Sequence, residues 1–322
     1  MFEQLSSLDA IVLNFGNNGS SILNITLAFV MFGVALGIKP SHFKTAFMHP
    51  KAVITGFISQ ALLLPAVTFL LCLIFKEYLT LTVALGCILI ASCPGGNISN
   101  FISSLCKGNI ELSVSLTALS TVTALFLTPV NFAFWGDMYA GACDLVRPIN
   151  VPFSEVFKTL VIMLGIPLCI GLFISWKFPD LTKKIHKIIQ NVSILIFVAI
   201  VIIAFSVNFE YFMQYIKYIL IIVLVHNGMA YLTGYTAGTV AHLNRRDRIT
   251  VTIETGIQNS GLALMLIFNP DILPADLQIG GMAFVAAWWG VWHIISSVIL
   301  AGSHNLYRQV KFNRLTEARK SE

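Results

Sequence analysis

Nine apolar runs of about 20 residues follow one another along this chain, at roughly 21–38, 51–75, 81–105, 110–134, 156–176, 188–208, 216–240, 249–269 and 279–303. Wound as an α-helix, a run of that length spans the hydrocarbon core of a bilayer. Backbone N–H and C=O groups find no water there, so repeated runs of this kind dictate a bundle of helices. Composition agrees: 57% of the 322 residues are hydrophobic and 11% are charged, against about a quarter charged in soluble domains. The expected fold class is therefore an all-α polytopic membrane protein with about nine transmembrane helices.

The basic residues set an orientation. With the N-terminus outside, sixteen of the twenty Lys and Arg side chains fall on the cytoplasmic side, leaving only Lys76, Arg147, Lys158 and Lys217 outside. The positive-inside rule then predicts an external N-terminus, a cytoplasmic C-terminus and an odd number of spans in the cell membrane. The net charge of +5 reflects this bias, so no nucleic-acid partner is expected, and the "NRRDR" run at 244–248 reads as a solvated loop. Glu3 and Asp9 precede the first basic residue, Lys39, so no cleavable leader is expected. The chain divides into an external segment 1–20, a transmembrane unit 21–304 with halves at about 21–135 and 156–304, and a basic cytoplasmic tail 305–322. The longest connection is expected at 135–155. The six cysteines form no CxxC pair and read as small apolar packing residues.

Two of the runs are interrupted. The third contains Ser92 to Asn100, "SCPGGNISN", and the eighth contains Glu254 to Gly261, "ETGIQNSG". Pro94 removes a backbone donor and disfavours helix at Cys93, while Gly95 and Gly96 permit unusual dihedrals. One such break reads as a proline kink. Two breaks at corresponding positions in halves of opposite topology point instead to an inverted-repeat secondary transporter, whose binding site lies at discontinuous helices. Carbonyls freed at a break serve as ligands, and each second half-helix begins with a positively polarised N-terminus.

Glu254 is the one acid well inside a run. A carboxylate at the bilayer centre costs about 2.5–3.5 kcal/mol and needs a compensating partner. With no Lys or Arg nearby in sequence, the choices are a bound cation or a proton. Gln258 and Asn259 supply amide oxygens beside it. Ser113, Thr117, Ser120 or Thr121, and Thr128 recur on one face of the next helix, fit either for close helix packing or for completing a cation shell. Gln60 serves equally as interhelical glue or as a cation ligand. His226 and His293 read as hydrogen-bonded interior residues. No P-loop and no nucleophile elbow of the GxSxG type appear, so neither ATP-driven transport nor hydrolysis is expected, and the protein is not expected to be an enzyme.

The stretches "SCPGGNISN", "ELSVSLTALSTVTALFLTP", "LVHNGMAYLTGY" and "IETGIQNSGLA" together resemble the bile acid:sodium symporter family over about residues 22–304. The resemblance implies a core domain with two crossing broken helices, a flatter panel domain, and inward movement of an organic anion with two sodium ions by alternating access. Carried over by position, it implies one sodium site from Ser99, Asn100, Ser113, Thr117 and Glu254. A second would use Gln60, Glu254, Gln258 and the backbone carbonyls of Thr255 and Ile257. Asn97 and Asn259 match substrate-contacting positions. Bacterial relatives commonly have ten helices; this chain lacks room for the first, which belongs to the panel. A monomer is expected, carrying a bile acid or a smaller carboxylate. The alternatives are a proton-coupled exporter of arsenite type, with Cys93 on the metalloid and Glu254 on the proton, or an ion-binding membrane receptor or channel.

Overall fold

The computed structural model describes residues 2–11, 19–38, 48, 50–96, 98–143, 153–207, 209–269, 273 and 278–320. These residues are almost entirely helical: α1 (Phe2–Asp9), α2 (Gly19–Gly37), α3 (Pro50–Ile74), α4 (Leu81–Ser92), α5 (Ile98–Leu105) and α6 (Ile110–Ala142) come from the first half. Then follow α7 (Phe153–Leu160, continuing through Val161–Gly165 and Ile166–Lys177), α8 (Pro179–Val207), α9 (Phe209–Val240), α10 (Arg245–Gly256), α11 (Ser260–Ile267) and α12 (Gly280–Lys320). Among the described residues, five helices are long and apolar enough to cross a membrane: α3, α6, α7, α9 and the first part of α12.

Both interrupted runs are broken where the sequence predicts. α4 stops at Ser92 and α5 begins at Ile98; α10 stops at Gly256 and α11 begins at Ser260. Cys93 is extended, at φ −75° and ψ 158°, as a residue before proline must be. The two breaks partner one another. Gly96 N–H donates to the Ile257 carbonyl at 3.0 Å and Asn259 N–H donates to the Pro94 carbonyl at 2.9 Å. The two bonds make an isolated antiparallel bridge between Gly95 and Gln258. Irregular backbone at membrane depth is stable on this condition.

Two further helices carry a π-helical turn immediately before a proline: Ser59–Leu63 ahead of Pro65 in α3, and Val161–Gly165 ahead of Pro167 in α7. A proline offers no N–H to the carbonyl four residues back. In α3 that carbonyl belongs to Ala61, and Asn131 Nδ2 on α6 donates to it at 2.8 Å. The extra residue of the turn also carries Ser59 and Gln60 into the interior, where they are 0% and 3% exposed.

Several boundaries differ from expectation. Helix α6 runs on to Ala142, with Tyr139 and Ala140 buried, so the first eight residues of the connection expected at 135–155 are helical. The "NRRDR" run is no loop. Asn244 caps α10, its side chain accepting from Asp247 N–H at 3.0 Å, and Asp247 is buried. Asp247 in turn accepts from Asn109 Nδ2 at 2.8 Å, tying the start of α10 to the start of α6, which Asn109 caps. Within the segment 1–20, α1 packs Leu5 and Leu8 fully inside. The Asp9 carboxylate accepts from Thr80 Oγ1 at 3.0 Å and from the Thr82 hydroxyl, and its burial raises its pKa above the ordinary carboxylate value. Lys39, Lys44 and Arg147 lie outside the described residues.

The helices pack in two sets. Helix α2 lies against α7 and α8, whereas α12 lies against α4, α9 and α11, and α10 lies against α3, α6 and α9. The largest apolar cluster gathers around α4, α11 and the start of α12, with Trp289 fully buried. All six cysteines are free thiols.

Candidate functional site

Glu254 sits in the last turn of α10, just before the break, and is 0% exposed. Among the described residues the ion pair formed is Lys183–Asp180, at 3.2 Å on the exposed start of α8, so Glu254 has no cationic partner there. Its carboxylate is met instead by hydroxyls from the first half. Ser99 Oγ lies 2.7 Å from Oε1, Thr117 Oγ1 lies 3.1 Å from Oε2, and the Ser113 hydroxyl also reaches Oε1. Ser99 comes from the first turn of α5, while Ser113 and Thr117, four apart, share one face of α6.

Protons are short in this cluster. The single hydrogen of Thr117 Oγ1 is within reach of four oxygens: Glu254 Oε2 at 3.1 Å, the Ser113 carbonyl at 3.1 Å, Asn100 Oδ1 at 3.4 Å and Ser99 Oγ at 3.4 Å. Ser113 likewise faces both Glu254 and Ser103 Oγ, the latter at 3.2 Å. A buried set of oxygens with more lone pairs than hydrogens is the donor chemistry of a hard cation. The five residues Ser99, Asn100, Ser113, Thr117 and Glu254 are thus brought together, and they fit a sodium ion.

A second group converges on Gly95. A Cβ added there would lie 2.8 Å from Gln60 Nε2, 3.3 Å from Glu254 Oε2 and 3.6 Å from Ser120 Oγ. Gly95 is not in the left-handed region, so the glycine is required by close approach and not, as its sequence context implies, by an unusual dihedral. Gln60 Nε2 and Gln258 Oε1 are buried without a hydrogen-bond partner. Gln258 Nε2 donates to the Thr255 carbonyl at 2.8 Å, and the Ile257 carbonyl already holds Gly96 N–H. Each of these carbonyls keeps a second lone pair. Gln60 and Glu254 therefore meet at Gly95, where the Gln60 end that faces inward is the N–H₂ donor, and a cation there requires the amide turned to present its oxygen; Gln258 Oε1 is an unpartnered acceptor on the second break.

Asn97 lies outside the described residues. Asn259 caps α11, its Oδ1 accepting from Leu262 N–H at 3.1 Å, which leaves its amide nitrogen for another contact. Sequence reasoning missed what holds the second break from behind. Asn227 Nδ2 on α9 donates to the Gly256 carbonyl at 2.8 Å, and Ser296 Oγ on α12 donates to Asn227 Oδ1 at 2.7 Å. Tyr231, whose ring covers Gly256, bonds Ser297 Oγ at 2.8 Å. The available signal was the set of small and polar residues in "LVHNGMAYLTGY". His226, in the same stretch, bonds Thr68 Oγ1 at 2.8 Å and lies 4.7 Å from the Trp289 ring, as an interior residue. Among the described residues no group of three or more His, Cys, Asp and Glu side chains is placed to hold a metal ion.

A family model described as the sodium bile acid symporter family matches residues 24–215. An uncharacterized sodium-dependent transporter, YocS, of Bacillus subtilis (strain 168) is 31% identical over 282 residues, which is 88% of this chain and 82% of the relative. The human ileal sodium/bile acid cotransporter is 29% identical over 280 residues, covering 84% of this chain and 78% of the relative. A sodium-dependent organic anion transporter of Bos taurus is 24% identical over 288 residues, covering 88% and 73%.

Proposed function

The chain belongs to the sodium bile acid symporter family, a family of sodium-coupled membrane transporters and not of enzymes, and from that premise we propose that it imports an organic anion together with two sodium ions by alternating access. The observation that carries this reading is the proton-poor oxygen cluster around Glu254. A proton bound at that carboxylate would require none of the surrounding hydroxyls, whereas a sodium ion requires most of them.

The first ion is held by Ser99, Asn100, Ser113, Thr117 and Glu254, and the second by Gln60, Glu254, Gln258 and the carbonyls of Thr255 and Ile257. Two cations against one carboxylate leave local positive charge, to which the N-termini of α5 and α11 add. An anion is then the favoured cargo, with Asn97 and Asn259 as its contacts at the two breaks. The helices α2, α7 and α8 form the panel and the remainder the core, in a nine-helix inverted-repeat layout with the N-terminus outside, the C-terminus in the cytoplasm and one chain per transporter.

Uptake of labelled anions into proteoliposomes, with and without an inward sodium gradient, tests the proposal. Accumulation driven by sodium and abolished by its removal supports it; sodium binding with no anion flux points to a receptor or channel. A sharper expectation concerns Asn100→Ala. It removes one oxygen from the first ion, worth about 1.5 kcal/mol for a bond to a charged group, so sodium affinity without substrate should fall by about tenfold. Asn97→Ala should leave that affinity unchanged and weaken anion binding directly. Calorimetric sodium titration separates the two, and equal losses would move Asn97 into the ion shell.

A further inference from the structure

The second ion position has a neighbour that its ligands do not explain. Gln60 and Ser120, which approach each other at Gly95, also line a cavity of about 20 Å³ between α3 and α6, together with Ala61, Thr128 and Asn131. Two groups on its wall are buried without a hydrogen-bond partner: Gln60 Nε2 and the hydroxyl of Thr128, a residue that is 0% exposed. Thr128 is the exception on its helix. Every other Ser and Thr side chain of α6 makes a hydrogen bond, most of them to the carbonyl three or four residues back. That carbonyl is the ordinary outlet for a hydroxyl inside a helix.

A buried hydroxyl left unpaired is costly, and the ion chemistry supplies a use for this one. Gln60 has its N–H₂ end toward Gly95 and the Glu254 carboxylate, whereas a cation there requires the amide oxygen. Half a turn of the amide about its last bond exchanges the two ends without changing its shape. The N–H₂ group then leaves the ion and needs an acceptor elsewhere. Thr128 Oγ1 is an acceptor with no other partner, on the wall of the same cavity. Any gap between them can be bridged, since about 10–15 Å³ is enough to hold a water molecule. The backbone beside the pair is already fixed. Asn131, three residues after Thr128 and so on the same face of α6, donates to the Ala61 carbonyl at 2.8 Å and holds the residue next to Gln60.

Resting on the two-sodium reading above, we infer that Thr128 is a positioning residue for the second ion: its hydroxyl receives the Gln60 N–H₂ group, directly or across one water, when the amide turns its oxygen to sodium. Asn131 keeps the π-helical turn of α3 in the register that this pairing needs. Without sodium the Thr128 hydroxyl stays unpaired. The pairing is made only in the ion-bound state, and so it favours that state.

The test uses the purified full chain, titrated calorimetrically with sodium chloride against choline chloride in the absence of an organic anion, with melting curves taken alongside. Thr128→Val keeps the shape and removes the hydroxyl. Its sodium affinity should fall about three- to tenfold, as for the loss of one hydrogen bond, and the steepness of binding should flatten toward that of a single ion. Its melting temperature without sodium should hold or rise, because a methyl has replaced an unpaired buried hydroxyl. A hydroxyl that served only to hold helices together would lower it. Thr128→Ser restores the hydroxyl and should recover most of the affinity. In a Gln60→Ala background, Thr128→Val should change sodium binding by about twofold at most, since the two side chains act as a unit. Wild-type sodium affinity in Thr128→Val, a lowered melting temperature without sodium, or a loss that adds in full to that of Gln60→Ala would each overturn the inference while the sodium reading stands. Failure of the wild-type chain to bind sodium would overturn that reading, and the inference with it.

Discussion

Glu254→Gln abolishes sodium-driven uptake, by at least a hundredfold in initial rate, and leaves the protein folded. The side chain is 0% exposed and has no cationic partner among the described residues. Its negative charge is the one formal charge available to either ion position, because every other ligand named for them is a neutral hydroxyl, amide or carbonyl oxygen. Glutamine keeps the volume, so no cavity forms, but it removes the charge and places an N–H₂ group among ligands that must face a cation. The substitution also relieves a carboxylate buried at membrane depth, which costs about 2.5–3.5 kcal/mol on insertion scales. Thermal stability measured without sodium should consequently hold or rise. The stabilisation that sodium gives the wild-type protein should vanish, since a ligand stabilises only through the sites that bind it. Uptake rates and melting curves over a sodium series, taken together, check both halves of the expectation. A variant that transports at the wild-type rate with the wild-type sodium dependence would remove Glu254 from the ion sites altogether.

How far the sequence could carry this depends on whether a feature is local. Pro94, Gly95, Gly96 and the neighbouring amides interrupt an apolar run visibly, so the break between α4 and α5 is legible without a structure. The second break is legible for the same reason at Gly256, Gln258 and Asn259. What satisfies those breaks is not local. Gly96 and Ile257 are 161 positions apart along the chain, and nothing in either stretch says that each supplies the other's missing hydrogen bond. The same limit hides the partner of Ala61, since Pro65 announces a lost donor but not that Asn131 replaces it.

Misreadings came from treating charge or composition as a substitute for caps and packing. The "NRRDR" run looks solvated by its arginines, yet Asn244 three residues before Asp247 is a helix start, and Arg248 stacks on the Tyr235 ring at 5.2 Å. Gly95 reads in sequence as a license for unusual backbone, whereas its service is to let Gln60 and Glu254 approach. The hydroxyl stripe on α6, in contrast, was readable as a face, and the structure turns Ser113 and Thr117 of that face toward Glu254.

Gly95→Ala separates the ion role of the first break from its architectural role, and it should do so with a large effect on sodium and a small one on folding. The added methyl would stand 2.8 Å from Gln60 Nε2 and 3.3 Å from Glu254 Oε2. The first contact is closer than atoms tolerate, but it is with the end of a flexible side chain, so Gln60 can swing away at low cost. Swinging away takes its amide out of the second ion position. Sodium binding should therefore weaken by tenfold or more, and its dependence on concentration should flatten toward that of a single ion. Gly96→Ala makes the informative contrast. There the methyl would press on the Gln258 carbonyl at 3.1 Å, which is backbone of the bridge between the two breaks and cannot rotate aside. That variant should lose stability, by roughly 1–3 kcal/mol as one buried backbone bond is disturbed, along with transport. Calorimetric sodium titrations and chemical denaturation of both variants distinguish the two effects. Gly95→Ala binding sodium with wild-type affinity and steepness would show that Gln60 holds helices together and coordinates nothing.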